Sequence, residues 1–266
     1  MNIVVVGLDH AGLSNAVVLA QHHDVVVVDP DRRKVDLLNQ RRAPFADVEL
    51  DDFLRHVPLS LTATTDETVF VDAHLVVVAT PTDVDQQTHR VDASRVEDVI
   101  GRVLSANPWV TVVVRSTVPV GFTARMRERH DGAGIVYSPD LVEDGSALHG
   151  NLHPARIVVG HRGVHGQLFA DLMTEGAVVP DVPVLMTDPT EAEAISLFAN
   201  AYLALRQAYF DELASYSVTH MLDTAQVMAG VRLDPRIRAR HSNPFFGDAG
   251  HLLPATGTDV RTPAFA

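Results

Sequence analysis

Residues 2–12 read NIVVVGLDHAG. A short apolar run ends in Gly7, and Gly12 opens a helix-like stretch, GLSNAVVLAQ (12–21). VVVVD (25–29) follows, a second apolar run that ends in an acid. Runs of β-branched residues unrelieved by polar ones fit strands covered on both faces, as in a parallel sheet. Strand, glycine turn, helix, strand and acid at this spacing have the layout of a dinucleotide-binding fold. Gly7 permits the tight turn and Gly12 lets the helix pack near the strand. The helix N-terminus faces a pyrophosphate, and His10 and Ala11 just ahead of the helix are expected cofactor contacts. Asp29 can accept both hydroxyls of the adenosine ribose and would repel a 2′-phosphate, so the expected cofactor is NAD rather than NADP. One position departs from the pattern. Asp9 stands at the middle glycine of G-x-G-x-x-G, where it adds bulk and like charge beside the diphosphate. Either the loop is shifted or cofactor affinity is reduced.

Outward from this unit the alternation continues. RKVDLLNQ (33–40) reads as a helix, HLVVVATPT (74–82) as a strand, SRVEDVIGRVLSAN (94–107) as a helix and WVTVVVRST (109–117) as a strand. GIVYSPD (134–140) and ARIVVG (155–160) are further strands, with QLFADLM (167–173) a helix. The pattern predicts an α/β fold with a Rossmann-type, doubly wound parallel sheet over residues 1–186. From Thr187 the period changes. Apolar residues recur at helical spacing to Met221 without a breaker, with Thr187 or Asp188 able to cap the start. So long a helix suggests a spine that packs a second molecule or a second domain. DTAQVMAGV is a short following helix, and the helical region is expected to span 187–240. Residues 241–266 lose regularity.

Composition narrows the chemistry. The 266 residues carry a formal net charge of −13, which disfavours nucleic acid and anionic membrane surfaces as partners. No uncharged apolar stretch is long enough to span a bilayer, and MNIVVVG is a strand signal rather than a secretion signal, so the cytoplasm is the expected location. Cysteine is absent, which excludes disulfides, thiolate metal sites and cysteine nucleophiles. Lys34 is the sole lysine, and arginine cannot shuttle protons near neutral pH. Fourteen histidines include the pairs His149/His153 and His161/His165, but neither has a metal-ligand pattern, so no metal is expected.

The blocks GLSNAVVLAQ, DLLNQR, ATPTD, STVPVGFT, LFANAYLALR, LDPRI and NPFFG occur in the order seen in the UDP-glucose 6-dehydrogenase family, which this chain resembles over nearly its whole length. The resemblance implies a Rossmann domain followed by a long dimer-forming helix, hence a homodimer. It also implies a second Rossmann-like domain that holds uridine diphosphate, and with the chain stopping at Ala266 nearly all of that domain is expected to be absent. The family oxidises a sugar CH₂OH to a carboxylate in two NAD-dependent steps, capturing the aldehyde on a cysteine with help from lysine and aspartate. Where the family block reads roughly F-G-x-G-G-x-C-L-P-K-D, this chain has Leu252, Ala255 and Thr256 at the cysteine, lysine and aspartate. Ser196 stands at the family's other catalytic lysine. The covalent step, and with it the four-electron oxidation, is expected to be lost.

Other parts persist. The resemblance places Thr80, Pro81, Thr82 and Ser116 around the cofactor, and Thr117 where a hydroxyl positions a water or the reacting alcohol. Asn200 matches an asparagine near the sugar and the oxyanion. Asp140 and Asp144 stand where the family has two glutamates, and Glu143 replaces an arginine. A pocket crowded with acids raises carboxylate pKa values and favours general acid or base work. His251, beside the lost nucleophile, could shuttle protons. Arg236, Phe246, Gly247 and Gly250 are the expected substrate contacts. Two readings follow. One is a diverged NAD-dependent enzyme that oxidises an alcohol of a small sugar- or nucleoside-like substrate by two electrons, or transiently on the way to dehydration or epimerisation. The other is a non-catalytic relative that partners a complete dehydrogenase.

Overall fold

A computed structural model of the chain describes residues 1–84, 91–141, 147–234 and 237. It contains two compact units, Met1–Ser196 and Leu197–Ala266. The first is built on β1 (Asn2–Val6), α1 (His10–Ala20), β2 (Asp24–Val28), α2 (Arg32–Asn39), α3 (Val48–His56), β3 (Leu61–Thr64) and β4 (Leu75–Val78). A two-residue pair, β5 (Asp83–Val84) and β6 (Val91–Asp92), precedes α4 (Ser94–Ala106). Then come β7 (Thr111–Val114), α5 (Phe122–Arg129), β8 (Ile135–Tyr137), α6 (Ala147–Leu152), β9 (Ile157–Val159), α7 (Val164–Gly176) and β10 (Val184–Met186).

Six strands form one parallel sheet in the order β3-β2-β1-β4-β7-β8. Counted along this sheet alone, that is the 3-2-1-4-5-6 order of the Rossmann fold, whose strand order reverses between β1 and β4. The valine runs are explained by burial on both faces. Ile3 and Val5 point with Val25, Val27, Leu75 and Val77 into a core closed by Leu13, Ala16 and Val17 of α1. Val4, Val6, Val76, Val78, Val112 and Val114 point the other way, against Val96, Ile100 and Val103 of α4 and Phe122 and Met126 of α5. Each fully buried valine contributes about 1.5–3 kcal/mol over exposure, which a strand with one wet face could not collect at every position.

The elements that the sequence pattern did not announce are the edges. LTAT of β3 alternates between buried and exposed residues and pairs on one side with β2. FTARMRER of α5 buries only Phe122, Thr123 and Met126, and Gly121 begins it with a positive φ of 86°. In α3, Asp47 caps the helix by accepting from the Leu50 amide.

The long helix, α8, runs from Pro189 to Thr219 across the boundary between the units. Pro189 starts it where a missing N–H costs nothing, and the Asp188 carbonyl accepts the first helical bond from Ala192. In the second unit α9 (Thr224–Leu233) follows, capped by Asp223. No helix of the described residues is long and apolar enough to cross a membrane.

Candidate cofactor site

The site begins where β1 stops. Gly7 sits at φ 109°, and a Cβ there would lie 2.6 Å from the Ala79 carbonyl oxygen at the exit of β4. Gly12 is equally obligatory, since a Cβ would meet the Gly7 oxygen at 2.0 Å. The Gly7 amide donates to the Val28 carbonyl at 2.9 Å. The turn therefore has the form the glycine pattern predicts. Asp9 is the N-cap of α1, and its Oδ1 accepts from the Gly12 amide at 2.8 Å. Burial pushes the Asp9 carboxyl upward from the ordinary carboxylate range, against the opposing pull of the Gly12 bond and the Lys34 and His10 charges.

Asp29 is buried at the end of β2 and locks the loop in place. Its Oδ2 accepts from the Leu8 amide at 2.7 Å and its Oδ1 from the Asp31 amide at 2.8 Å. Lys34 reaches over from α2, its Nζ donating to the Leu8 carbonyl at 3.2 Å. The His10 ring stacks on Phe45 with centroids 3.8 Å apart. On the β4 side of the crossover, Thr80 has a buried hydroxyl oxygen with no hydrogen-bond partner, an orphan polar atom beside the glycine turn. Ser116, at the exit of β7, donates to the Thr80 carbonyl at 2.7 Å and holds the two strand ends together. Pro81 and Thr82 continue from Thr80, and Thr117 is exposed next to Ser116. Ala11 lies in the first turn of α1, and its carbonyl accepts from Ser14 and Asn15. A positive-φ glycine turn, a helix start capped by Asp9, a strand-end carboxylate and an orphan hydroxyl converge at one switch point. That donor set fits a dinucleotide in every respect except the Asp9 carboxylate.

Beneath this loop lies a buried polar network that the sequence did not reveal. Arg115 follows β7 with its side chain only 5% exposed, and pairs with Asp140, 10% exposed, at 2.9 Å. The other Asp140 oxygen accepts from Asn15 of α1 at 3.1 Å. Arg115 also donates to the Ser138 and Pro139 carbonyls and to Asn151 Oδ1, while Asn151 donates to Ser14 Oγ at 3.0 Å. Among the described residues, Asp140 is thus held between a guanidinium and an amide. The other two acids of the expected cluster, Glu143 and Asp144, lie outside the described residues. The partners of Asp140 could have been suspected from one signal, an arginine directly after the apolar run TVVV.

Ser196 is buried, and its hydroxyl bonds to that of Tyr137. Burial pushes the Tyr137 phenol upward, and the Ser196 bond acts against that push. Asn200 is an exposed residue of α8, in the second unit. Glu143, Asp144, Arg236, Phe246, Gly247, Gly250 and His251 lie outside the described residues, as do Leu252, Ala255 and Thr256. Among the described residues no group of three His, Cys, Asp or Glu side chains is placed to hold a metal ion.

Comparison with known proteins adds the family. Residues 1–172 match the NAD binding domain of the UDP-glucose/GDP-mannose dehydrogenase family, and residues 190–261 match its central domain. UDP-glucose 6-dehydrogenase from Streptococcus pneumoniae is 38% identical over 261 residues, covering 96% of this chain and 66% of that protein. The Campylobacter jejuni UDP-glucose 6-dehydrogenase is 34% identical over 257 residues, covering 96% and 65%. The chain therefore spans just under two thirds of the length of these relatives. Among solved structures, a UDP-glucose dehydrogenase from Pyrobaculum islandicum superposes with a TM-score of 0.75 at 27% identity, over 90% of this chain and 58% of the other. The Pseudomonas aeruginosa GDP-mannose dehydrogenase superposes with a TM-score of 0.75 at 23% identity, over 88% and 57%, which speaks for the fold alone.

Proposed function

The chain belongs to the UDP-glucose/GDP-mannose dehydrogenase family, and on that premise we propose that it is an NAD-dependent enzyme that acts on an alcohol of a sugar- or nucleoside-like substrate by a two-electron step. The carrying observation is a contrast. The residues expected to hold the adenosine half are kept, with Asp29 fastened to the Leu8 amide behind Gly7. The covalent apparatus is replaced, with Leu252 at the family's cysteine position and a buried Ser196 at its lysine position. When bound, NAD supplies the hydride acceptor. Gly7, Asp9, His10, Ala11, Gly12, Asp29, Thr80, Pro81, Thr82, Ser116 and Thr117 are the residues proposed to surround it.

Without a thiol to capture an aldehyde, the reaction ends at a carbonyl, or uses that carbonyl to acidify a neighbouring C–H before dehydration or inversion. Thr117 orients the reacting hydroxyl and Asn200 the developing oxyanion. Asp140 is engaged by Arg115 and Asn15, so its contribution is to hold the strand-end loop. Asp144 and His251 are the candidates to take and return the proton, and Arg236, Phe246, Gly247 and Gly250 to contact the substrate. The non-catalytic reading is favoured by one observation, the Asp9 carboxylate bonded at the helix start. Incubation with NAD⁺ and a panel of sugar nucleotides and nucleosides, in deuterated solvent, tests the proposal. One NADH per substrate, or solvent deuterium in a product formed without net NADH, supports it. Two NADH per substrate with a carboxylate product contradicts it.

We further propose a homodimer formed through α8. Leu197, Phe198, Leu205, Tyr209 and Tyr216 of this helix are each about half exposed, more apolar surface than a solvated helix carries.

A further inference from the structure

Four described helical segments of the first two-thirds of the chain begin with an aspartate whose carboxylate accepts from its own first turn: Asp9, Asp31, Asp47 and Asp66. Asp223 does the same for α9. An aspartate cap is ordinary. Asp66 and Asp223 are in solvent, and their cap bonds hold their carboxyls below the ordinary range. Asp9 is different. It is partly buried, at the one helix start that faces the glycine turn, and burial outweighs its cap bond. Resting on the NAD-binding reading above, we propose that the Asp9 carboxylate occupies the anion position at the start of α1, so that Asp9 sets the affinity for dinucleotides and diphosphate binding takes up a proton.

The geometry carries the argument. Gly12 is bare because a Cβ would strike the Gly7 oxygen, and that close packing sets its amide at the helix start beside Asp9. The Gly12 amide already has an anionic partner, Asp9 Oδ1 at 2.8 Å. A phosphate and a carboxylate compete for the same N–H and the same positive helix end. Three charged or titratable groups face Asp9. Lys34 from α2 and His10 from α1 favour its ionised form. Asp29, across Leu8, is like-charged, but both its oxygens are held by backbone amides. Bringing in a diphosphate adds negative charge beside Asp9, which raises its proton affinity further. Between the proton affinities of the free and bound forms, each bound dinucleotide takes up to one proton. NAD affinity then falls by up to about tenfold per pH unit as pH rises through that window, and is flat outside it.

The test is calorimetric titration with NAD⁺ of the parent protein, Asp9→Asn and Asp9→Ser, from about pH 5 to about pH 8.5, in two buffers of unlike ionisation enthalpy. Asparagine and serine both cap helices without a charge, and circular dichroism checks that α1 survives. Adenosine, which has no phosphate, serves as the control ligand. The expected result is proton uptake with NAD⁺ by the parent, and roughly tenfold or more tighter NAD⁺ binding by both variants at the alkaline end. Their binding should also have a flatter pH profile, and adenosine affinity should be unchanged throughout. Equal NAD⁺ affinity and equal pH profiles in parent and variants would overturn the inference and leave the NAD reading standing. Absence of NAD⁺ binding by parent and variants alike overturns both. An equal gain for adenosine overturns the inference by placing the effect outside the diphosphate.

Discussion

Arg115 and Asp140 form a buried ion pair that braces two strand ends. The pair is buried, and both partners are further held by Asn15, Ser138 and Asn151. Removing one charge strands the other in a largely buried site. Arg115→Met should therefore destabilise the first unit by about 3–5 kcal/mol in denaturant unfolding, and adding Asp140→Leu should recover much of that loss. If the double variant is no better than the single one, the pair is not a self-contained brace. Asp9 makes a prediction of opposite sign. Its carboxyl is raised in the folded state, so the native protein holds a proton that the unfolded chain releases first. Its contribution to stability falls as pH rises above the ordinary carboxylate range, and levels off once the folded-state carboxyl is ionised. Asp9→Asn should melt at or above the parent temperature at neutral pH, and the difference should shrink toward acid pH. A variant less stable than the parent at neutral pH would show that the charge, not only the cap, supports α1.

At the scale of elements, what could be read in advance was set by how many faces of each element are buried. The strands β1, β2, β4 and β7 are covered on both sides, so each is a continuous apolar run and was legible. The strand β3 and helices α3 and α5 meet the core with few residues, and their patterns fall below what a sequence window resolves. Helix α5 is instead fixed by a distant residue. Glu193, nearly fully buried at the start of α8, accepts from the Gly121 and Thr123 amides at the N-terminus of α5. Glu193→Ala leaves both amides without their carboxylate, and should cost about 1–3 kcal/mol in thermal or denaturant unfolding. A loss of a few tenths only would mean that solvent can replace Glu193 there. The candidate site divides along the same line. Gly7, Gly12 and Asp29 were legible because their spacing is local to one βαβ unit. The Arg115–Asp140 brace joins residues from separate strand ends, and nothing in local sequence announces which charges will meet.

At the scale of the molecule, the chain joins an intact nucleotide-binding sheet to a helix whose apolar side chains remain half exposed. Exposed Phe198 and Leu205 on α8 predict self-association, measurable by light scattering. The parent should have twice the mass of one chain, and Leu205→Asp should shift the population toward monomer. A monomeric parent at micromolar concentration would remove α8 as a dimer interface. The central claim concerns the other unit, that the switch point between β1 and β4 still holds NAD although Asp9 sits at the helix start. The most direct measurement is to denature the purified protein, identify released NAD⁺ or NADH by mass spectrometry, and titrate the protein with NAD⁺ calorimetrically. Co-purified or saturable NAD, lost on Asp29→Ala, is the result this account predicts. No released nucleotide and no binding heat at millimolar NAD⁺ would contradict it.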